Sequence, residues 1–409
     1  MSLNATPNGE RLHIGFFGRR NAGKSSVVNA VTGQALAIVS DVLGTTTDPV
    51  LKAMELLPLG PVVIIDTPGI DDEGELGTLR VKRSYQMLNK TDVAVLVVDS
   101  TLGLTAEDQQ LLDRIRLKQI PYLVVYNKCD QTHTPPPDGE HTVCVSAVTG
   151  EGIHALKEAI AHCAQPHENT KRLVSFLLAP EDIVVLVVPI DSAAPKGRLI
   201  LPQQQTIRDI LDTHAVCLVT QPEELPHTLR ALAKKPKLVI TDSQAFAAVS
   251  KMVPEDIPLT SFSILFAHYK GNLSQAVQGA AALDTLTDSD TILMAEGCTH
   301  HRQCDDIGTV KIPNLIRRYT GKNPQFVWTS GTEFPEDLHP YRLIIHCGGC
   351  MLNEREMKYR LKCAADDGIP ITNYGTAIAH MTGILKRSIA ALSSRTDSST
   401  GNRSAGESL

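Results

Sequence analysis

The chain has 409 residues, and at about 150 residues per domain this predicts two or three domains. Apolar residues make up 42% and charged residues 21%, enough for more than one core, which excludes wholesale disorder. A formal net charge of −6 and an aromatic content of 4% argue against a broadly basic nucleic-acid surface and against base-stacking platforms.

The longest apolar runs, Val93–Val98 and Ile183–Val188, are strand-sized and far short of a membrane span. The N-terminal MSLNATPNGE has neither an apolar signal core nor an Arg-rich amphipathic segment, so a cytoplasmic protein is expected. In chain order, His13–Phe17 reads as a strand that enters a Gly-rich turn, and Ser25–Val31 reads as a helix. Val62–Asp66, Asp92–Asp99 and Tyr122–Asn127 are β-branched runs of the length of buried parallel strands. Ala106–Leu117 is a helix between them and His154–Cys163 a closing helix, which predicts a doubly wound α/β sheet over residues 1–165. A polar linker is expected at Gln165–Lys171.

A second α/β domain, 171–256, is predicted from strands at Ile183–Pro189, Ala215–Thr220 and Lys237–Thr241, with helices at Gln203–Thr213, Pro222–Ala233 and Ser243–Val253. Pro254–Pro258 marks the next boundary. The third α/β domain, 259–392, has strand candidates at Ser263–Phe266, Thr291–Ala295, Phe326–Thr329 and Arg342–His346. Its helical candidates are Leu273–Leu283, Pro313–Tyr319, Asn353–Asp366 and Gly375–Ala391. Residues 393–409, rich in Ser, Thr, Gly and charge, are expected to be a disordered tail. No internal repeat is evident at this level.

Gly18-Arg19-Arg20-Asn21-Ala22-Gly23-Lys24-Ser25, followed by Ser26, fits a phosphate loop between a strand and a helix. Its glycines let successive backbone N–H groups turn toward phosphate oxygens, and the helix N-terminus adds a favourable dipole. Lys24 would reach the β/γ-phosphates and Ser25 would hold Mg²⁺. Asp66-Thr67-Pro68-Gly69 follows a strand: Asp66 suits Mg²⁺, and the Gly69 N–H can meet the γ-phosphate. Gly44-Thr45-Thr46-Thr47-Asp48 supplies Thr46 to the same Mg²⁺. Asn127-Lys128-Cys129-Asp130 places a carboxylate, Asp130, that accepts from the N1 and N2 donors of guanine. Ser146-Ala147 would support the base.

These motifs, in this order, resemble the translation-factor-related GTPases across residues 12–165. Ile70 stands where Ras-like members carry a water-orienting Gln, as in the tRNA-modification and ribosome-assembly subgroup. Asn21 matches the K⁺-binding Asn of that subgroup's potassium-activated members. The resemblance implies a slow, potassium-stimulated GTPase in which Lys24, Thr46, Asp66 and Gly69 serve hydrolysis.

The nine cysteines form no regular disulfide framework, and Cys298, Cys304, Cys347, Cys350 and Cys363 crowd the last third. Cys298-Thr299-His300 and His346-Cys347-Gly348-Gly349-Cys350 each follow a predicted strand. Thiolates and imidazoles in this pattern suit either a [4Fe–4S] cluster with one accessible iron or zinc, and the residues alone leave both open. Cys304, Cys363 and Cys129 read as ordinary thiols.

With the GTPase motifs, the segment Glu296-Gly297-Cys298-Thr299-His300-His301 and Asp305-Asp306-Ile307-Gly308 resemble the [FeFe]-hydrogenase maturation GTPase family, over nearly the whole chain to about Arg387. The resemblance implies a scaffold that binds GTP/GDP, Mg²⁺ and K⁺, with a dimerisation domain in the middle and a cluster-binding domain at the C-terminus. It implies a [4Fe–4S] cluster on Cys298, Cys347 and Cys350, with His300, His346 or His301 at the fourth position. It further implies a diiron precursor as cargo, two radical-SAM maturases and apo-hydrogenase as partners, and a homodimer, without nucleic acid or membrane. The alternative is an RNA-modification or ribosome-assembly GTPase with a structural zinc site.

Overall fold

A computed structural model describes residues 6–34, 49–71, 74–132, 139–164, 172–190, 199–297, 306–331 and 333–393. Thr46, the 165–171 linker, Cys298, His300, His301, Cys304 and residues 394–409 of the expected tail lie outside the described residues. The chain divides into two compact units, 1–168 and 169–409.

The first unit runs β1 (Leu12–Phe17), α1 (Lys24–Thr32), β2 (Val50–Leu56), β3 (Gly60–Asp66), α2 (Gly74–Met87), β4 (Val93–Asp99), α3 (Ala106–Leu117), β5 (Tyr122–Asn127), β6 (Thr142–Cys144) and α4 (Ile153–Cys163). The strands lie in the order β2-β3-β1-β4-β5-β6, with β2 antiparallel to β3 and the other pairings parallel. The central strands are buried end to end, as a sheet covered by helices on both faces requires. One face packs under α1 and α4 through Val27, Val31, Leu156 and Ile160; the other packs under α3 through Leu111 and Ile115. β1 sits inside the sheet, so the loop after it opens between the ends of β3 and β4, where doubly wound sheets bind ligands.

The second unit holds two sheets. The first comprises β7 (Ile183–Val187), α5 (Leu201–Leu211), β8 (Val216–Thr220), α6 (Leu225–Ala231), β9 (Leu238–Thr241), α7 (Phe246–Met252), β10 (Leu259–Ser261) and α8 (Phe262–Lys270). After α9 (Leu273–Ala280), the second comprises β11 (Thr291–Ala295), α10 (Ile312–Thr320), β12 (Gln325–Thr329), β13 (Leu343–His346), α11 (Glu354–Asp366), β14 (Ile371–Asn373), α12 (Tyr374–Met381) and α13 (Leu385–Ser393). Every pairing in both sheets is parallel.

The strand orders are β10-β9-β7-β8 and β12-β11-β13-β14. Counted from its own first strand, each sheet is ordered 2-1-3-4, so the topology is repeated. The sequence carries a trace of it: Ile257-Pro258-Leu259-Thr260-Ser261-Phe262 ends Ala267-His268, and Ile369-Pro370-Ile371-Thr372-Asn373-Tyr374 ends Ala379-His380. In both copies the last strand passes directly into a helix whose N-cap is that strand's final residue. The expectation of no internal repeat is corrected accordingly. The match is confined to this one junction.

Two element expectations are also corrected. Ser263–Phe266 is the first part of α8, not a strand: the Ser261 side chain accepts from the Ile264 N–H and starts a helix after only three strand residues. Gly375–Ala391 is two helices, broken where Gly383 takes φ +75°. The two halves of this unit share a core, in which Ala379 and Leu392 pack with β7 and β9 residues and Phe262. Arg387 adds a polar clamp, donating to the carbonyls of Ser250, Val253 and Pro254.

Candidate functional site

The phosphate loop is built by conformations that only certain residues accept. Gly18 and Gly23 take φ +141° and +86°. A Cβ at Gly18 would strike the Val97 carbonyl, and one at Gly23 the Asn127 amide. Asn21 also lies in the left-handed region, at φ 59°, which Asn tolerates better than most residues. The buried Lys24 donates to the Arg19 carbonyl at 2.7 Å across the loop. Ala22 and Lys24 are buried, and Ser25 and Ser26 follow on the first turn of α1.

The Ser25 hydroxyl donates to Asp66 Oδ2 at 2.8 Å, joining the loop to the end of β3. Asp66 is 3% exposed, and its Oδ1 is buried with no hydrogen-bond partner among the described residues. Burial raises its pKa, against the Ser25 hydrogen bond and the Lys24 charge. A buried carboxylate oxygen without a partner, beside a serine hydroxyl, fits Mg²⁺. Gly69 packs so closely on Arg20 that a Cβ there would meet the Arg20 side chain. Ile70 is buried in the core with Phe17, Val63 and Met87, so the residue in the glutamine position does not orient water.

Asn127 ties the two halves of the nucleotide site together. Its Nδ2 donates to the Ala22 carbonyl at 3.0 Å and its Oδ1 accepts from the Ala147 N–H at 3.1 Å. Lys128, at φ 66°, reaches Asp99 Oδ2 at 2.5 Å. Asp130 is exposed on the short turn Cys129–Gln131, where a carboxylate can meet a base edge. Ser146 is fully buried and its Oγ accepts from the Thr149 N–H. Burial and then the neighbouring Cys144 push the Cys129 thiol up to about 12, which keeps it a thiol. Asp71 was not among the sequence candidates: its carboxylate accepts from the Arg20 N–H at 2.6 Å and from Arg19 Nε at 3.4 Å, against the phosphate loop.

In the C-terminal sheet, β11 leads to β12 on one side and β13 leads to β14 on the other, so the C-terminal ends of β11 and β13 lie side by side at the switch point. Cys347 and Cys350 follow β13, and Gly297, the residue before Cys298, follows β11. The register pairs Ala295 with His346, and the Gly297 N–H donates to Cys347 Sγ at 3.0 Å. The Gly349 N–H, at φ 63°, points at the same sulfur from 3.4 Å. Cys347 and Cys350 are free thiols. Burial, then the Cys347 charge, push the Cys350 thiol up to about 11, with Lys270 acting in the opposite sense.

His346 is held from both sides. Arg360 Nη1, which can only donate, lies 3.1 Å from His346 Nε2, so Nε2 accepts and Nδ1 donates to the Cys347 carbonyl at 2.7 Å. Arg360 is fully buried, pairs with Glu356 at 2.9 Å and also donates to the Gly331 carbonyl. The buried Lys270 donates to the carbonyls of Cys350 and Leu352. Sequence reasoning found the thiols but missed Arg360, Glu356 and Lys270, which sit in helices without a motif. Free thiols at a switch point, with two N–H groups directed at the Cys347 sulfur, fit part of a thiolate ligand set for either zinc or an iron–sulfur cluster. Among the described residues alone, no group of three or more His, Cys, Asp and Glu stands ready as a metal site. No helix among the described residues is long and apolar enough to cross a membrane.

The loop, Mg²⁺ and guanine elements define a P-loop GTPase, here fused to a repeated pair of α/β domains. Residues 13–128 match the family model described as 50S ribosome-binding GTPase. Residues 173–271 match the hydrogen maturase F dimerization domain, and residues 274–391 its tetramerization domain. With these domains in tandem behind a GTPase domain, the chain belongs to the hydrogen maturase F family. Tetramerization is an assembly role that the sequence did not suggest for the last domain.

Among curated relatives, the tRNA modification GTPase MnmE of Legionella pneumophila (strain Paris) is 41% identical over 157 residues, 37% of this chain and 34% of that protein. The MnmE of Prochlorococcus marinus (strain MIT 9303) is 40% identical over 181 residues, 42% of this chain and 38% of that protein. The chain thus spans about a third of the length of the curated relatives it matches. Of solved structures, Era from Aquifex aeolicus bound to GDP and AlF4⁻ is 19% identical, covering 54% of this chain and 98% of that one at a TM-score of 0.34.

Proposed function

We propose that this protein is a GTP-hydrolysing scaffold for assembly of the [FeFe]-hydrogenase active-site cluster. In this reading Lys24, Thr46, Asp66 and Gly69 serve hydrolysis, with Mg²⁺ on Ser25, Thr46 and Asp66 and K⁺ at Asn21. Gly18, Ala22, Gly23 and Ser26 complete the phosphate cradle, and Asn127, Lys128, Asp130, Ser146 and Ala147 form the guanine side. Cys298, Cys347 and Cys350 hold a [4Fe–4S] cluster, with the fourth position open to His300, His346 or His301. His346, bonded by Arg360, orients the loop. The cargo is a diiron precursor supplied with the help of two radical-SAM maturases and delivered to apo-hydrogenase by a homo-oligomer in the cytoplasm.

The observation that carries this reading is the coincidence of the hydrogen maturase F match at 274–391 with a thiol pair at a topological switch point. The alternative, an RNA-modification or ribosome-assembly GTPase with zinc, draws only on the first unit, where the MnmE matches lie. Metal analysis and low-temperature EPR on anaerobically purified, dithionite-reduced protein decide between them. About four irons per chain, with a signal that weakens in Cys347→Ala, support the scaffold. One tightly held zinc and no iron uptake select the alternative.

A further inference from the structure

The loop that carries Cys350 is held by a cation from the other half of the repeat. Lys270 is the last residue of α8, within the dimerization-domain match, whereas Cys347 and Cys350 lie within the tetramerization-domain match. Its side chain is 2% exposed. Nζ lies 3.3 Å from the Cys350 carbonyl and 3.2 Å from the Leu352 carbonyl, bracketing the second thiol and the turn after it. The stem runs past Phe266, with Nζ 5.8 Å from its ring centre. The C-terminal end of α8 favours a cation at this point. A buried ammonium is expensive unless it is satisfied, and here the carbonyls of a cysteine loop supply that satisfaction.

We propose that Lys270 is a positioning residue for the cluster site: it clamps the Cys347–Leu352 loop from the neighbouring domain and sets a buried positive charge beside the Cys350 ligand. This rests on the reading that Cys347 and Cys350 bind an iron–sulfur cluster. A thiolate-ligated [4Fe–4S] centre is anionic and gains a further negative charge on reduction. A fixed cation next to one ligand favours the reduced state, so its removal lowers the potential. It also couples the domain named for dimerization to the cluster loop through one side chain.

The test uses the full chain in three forms: wild type, Lys270→Met and Lys270→Arg. Amide hydrogen exchange on the cluster-free proteins reads the clamp. In Lys270→Met the amides of Gly348–Leu352 exchange about tenfold faster or more, while those of Ile183–Val187 and Leu343–His346 stay slow and report an intact fold. After anaerobic reconstitution, Lys270→Met loses iron to a chelator several-fold faster and has a lower midpoint potential, and Lys270→Arg recovers the potential. Unchanged loop exchange in Lys270→Met overturns the clamp, whatever the loop binds. Faster exchange with an unchanged potential in Lys270→Met overturns the electrostatic role. Failure of the wild type to take up iron overturns the cluster reading instead, and the exchange data still judge the clamp.

Discussion

Asp66 bears an electrostatic load set by its burial. Its carboxylate is buried, one oxygen takes the Ser25 hydroxyl and the other has no partner among the described residues. Because burial raises its pKa in the fold, the protonated form is favoured there. That contribution to stability is fully present below the unfolded value, near 3.8, and is lost as pH rises through the higher folded value. Above that folded value the ionised group opposes folding unless a cation neutralises it. Asp66→Asn is expected to raise the melting temperature of the nucleotide-free protein at pH 7, while GTP hydrolysis falls at least about 10–100-fold, the loss seen even for a metal's outer-sphere partners. Thermal unfolding and phosphate release at varied Mg²⁺ check both. Arg360 presents the opposite case, a buried charge already satisfied by Glu356, His346 and Gly331. Arg360→Met leaves Glu356 buried without its cation and is expected to destabilise the second unit by about 3–5 kcal/mol, read as a lower urea midpoint. Thiols and phosphate-binding glycines announce themselves in a sequence because few other residues do their chemistry. Lys270, Arg360 and Asp71 do not, since any helix or loop carries such charges and only the fold says which of them turn inward.

Side-chain caps start several helices of the second unit, two of them from the last residue of a strand. Ser261, Asn353 and Asn373 each accept from a backbone N–H in the first turn of the helix that follows. Asn353 sets the turn that carries Glu356 under the cysteine loop. Asn353→Ala is expected to cost about 1 kcal/mol and Asn353→Asp much less, by the same urea measurement. The long β-branched strands β1, β3, β4 and β5 were legible because each is a continuous apolar run buried on both faces. β2 was not, because it is an antiparallel edge strand whose side chains are mostly exposed and leave no apolar run to read. The opening of α8 misled for a related reason. Ser263-Ile264-Leu265-Phe266 is short and apolar, and periodicity cannot tell a buried strand from a buried helix over so few residues.

The repeat extends to the edges of the two sheets. In each copy the second strand, β8 or β12, is an edge strand, and each carries exposed apolar residues: Val216 and Val219 at 46% and 49%, Val327 and Trp328 at 38% and 36%. Such edges invite pairing with another chain. With one match named for dimerization and the other for tetramerization, Val219→Lys and Val327→Lys are expected to remove different assembly steps. Sedimentation equilibrium should show a lower mass for each and the lowest for both together. In the first unit, Asn21→Ala is expected to abolish any excess of GTPase rate in KCl over NaCl while leaving GDP binding in place, as measured by steady-state turnover and titration.

The common core of the second unit also limits how the chain can be recombined. α13, at its far end, puts Leu392 among the residues that bury β7 and β9, and Arg387 fastens carbonyls at and just past the end of α7. A cut between the dimerization and tetramerization segments would strip each of a surface it was folded against. Fusions and chimaeras should therefore keep 172–393 intact as one transplantable cassette. The GTPase unit, with cores of its own, is the part that can be exchanged for a relative's.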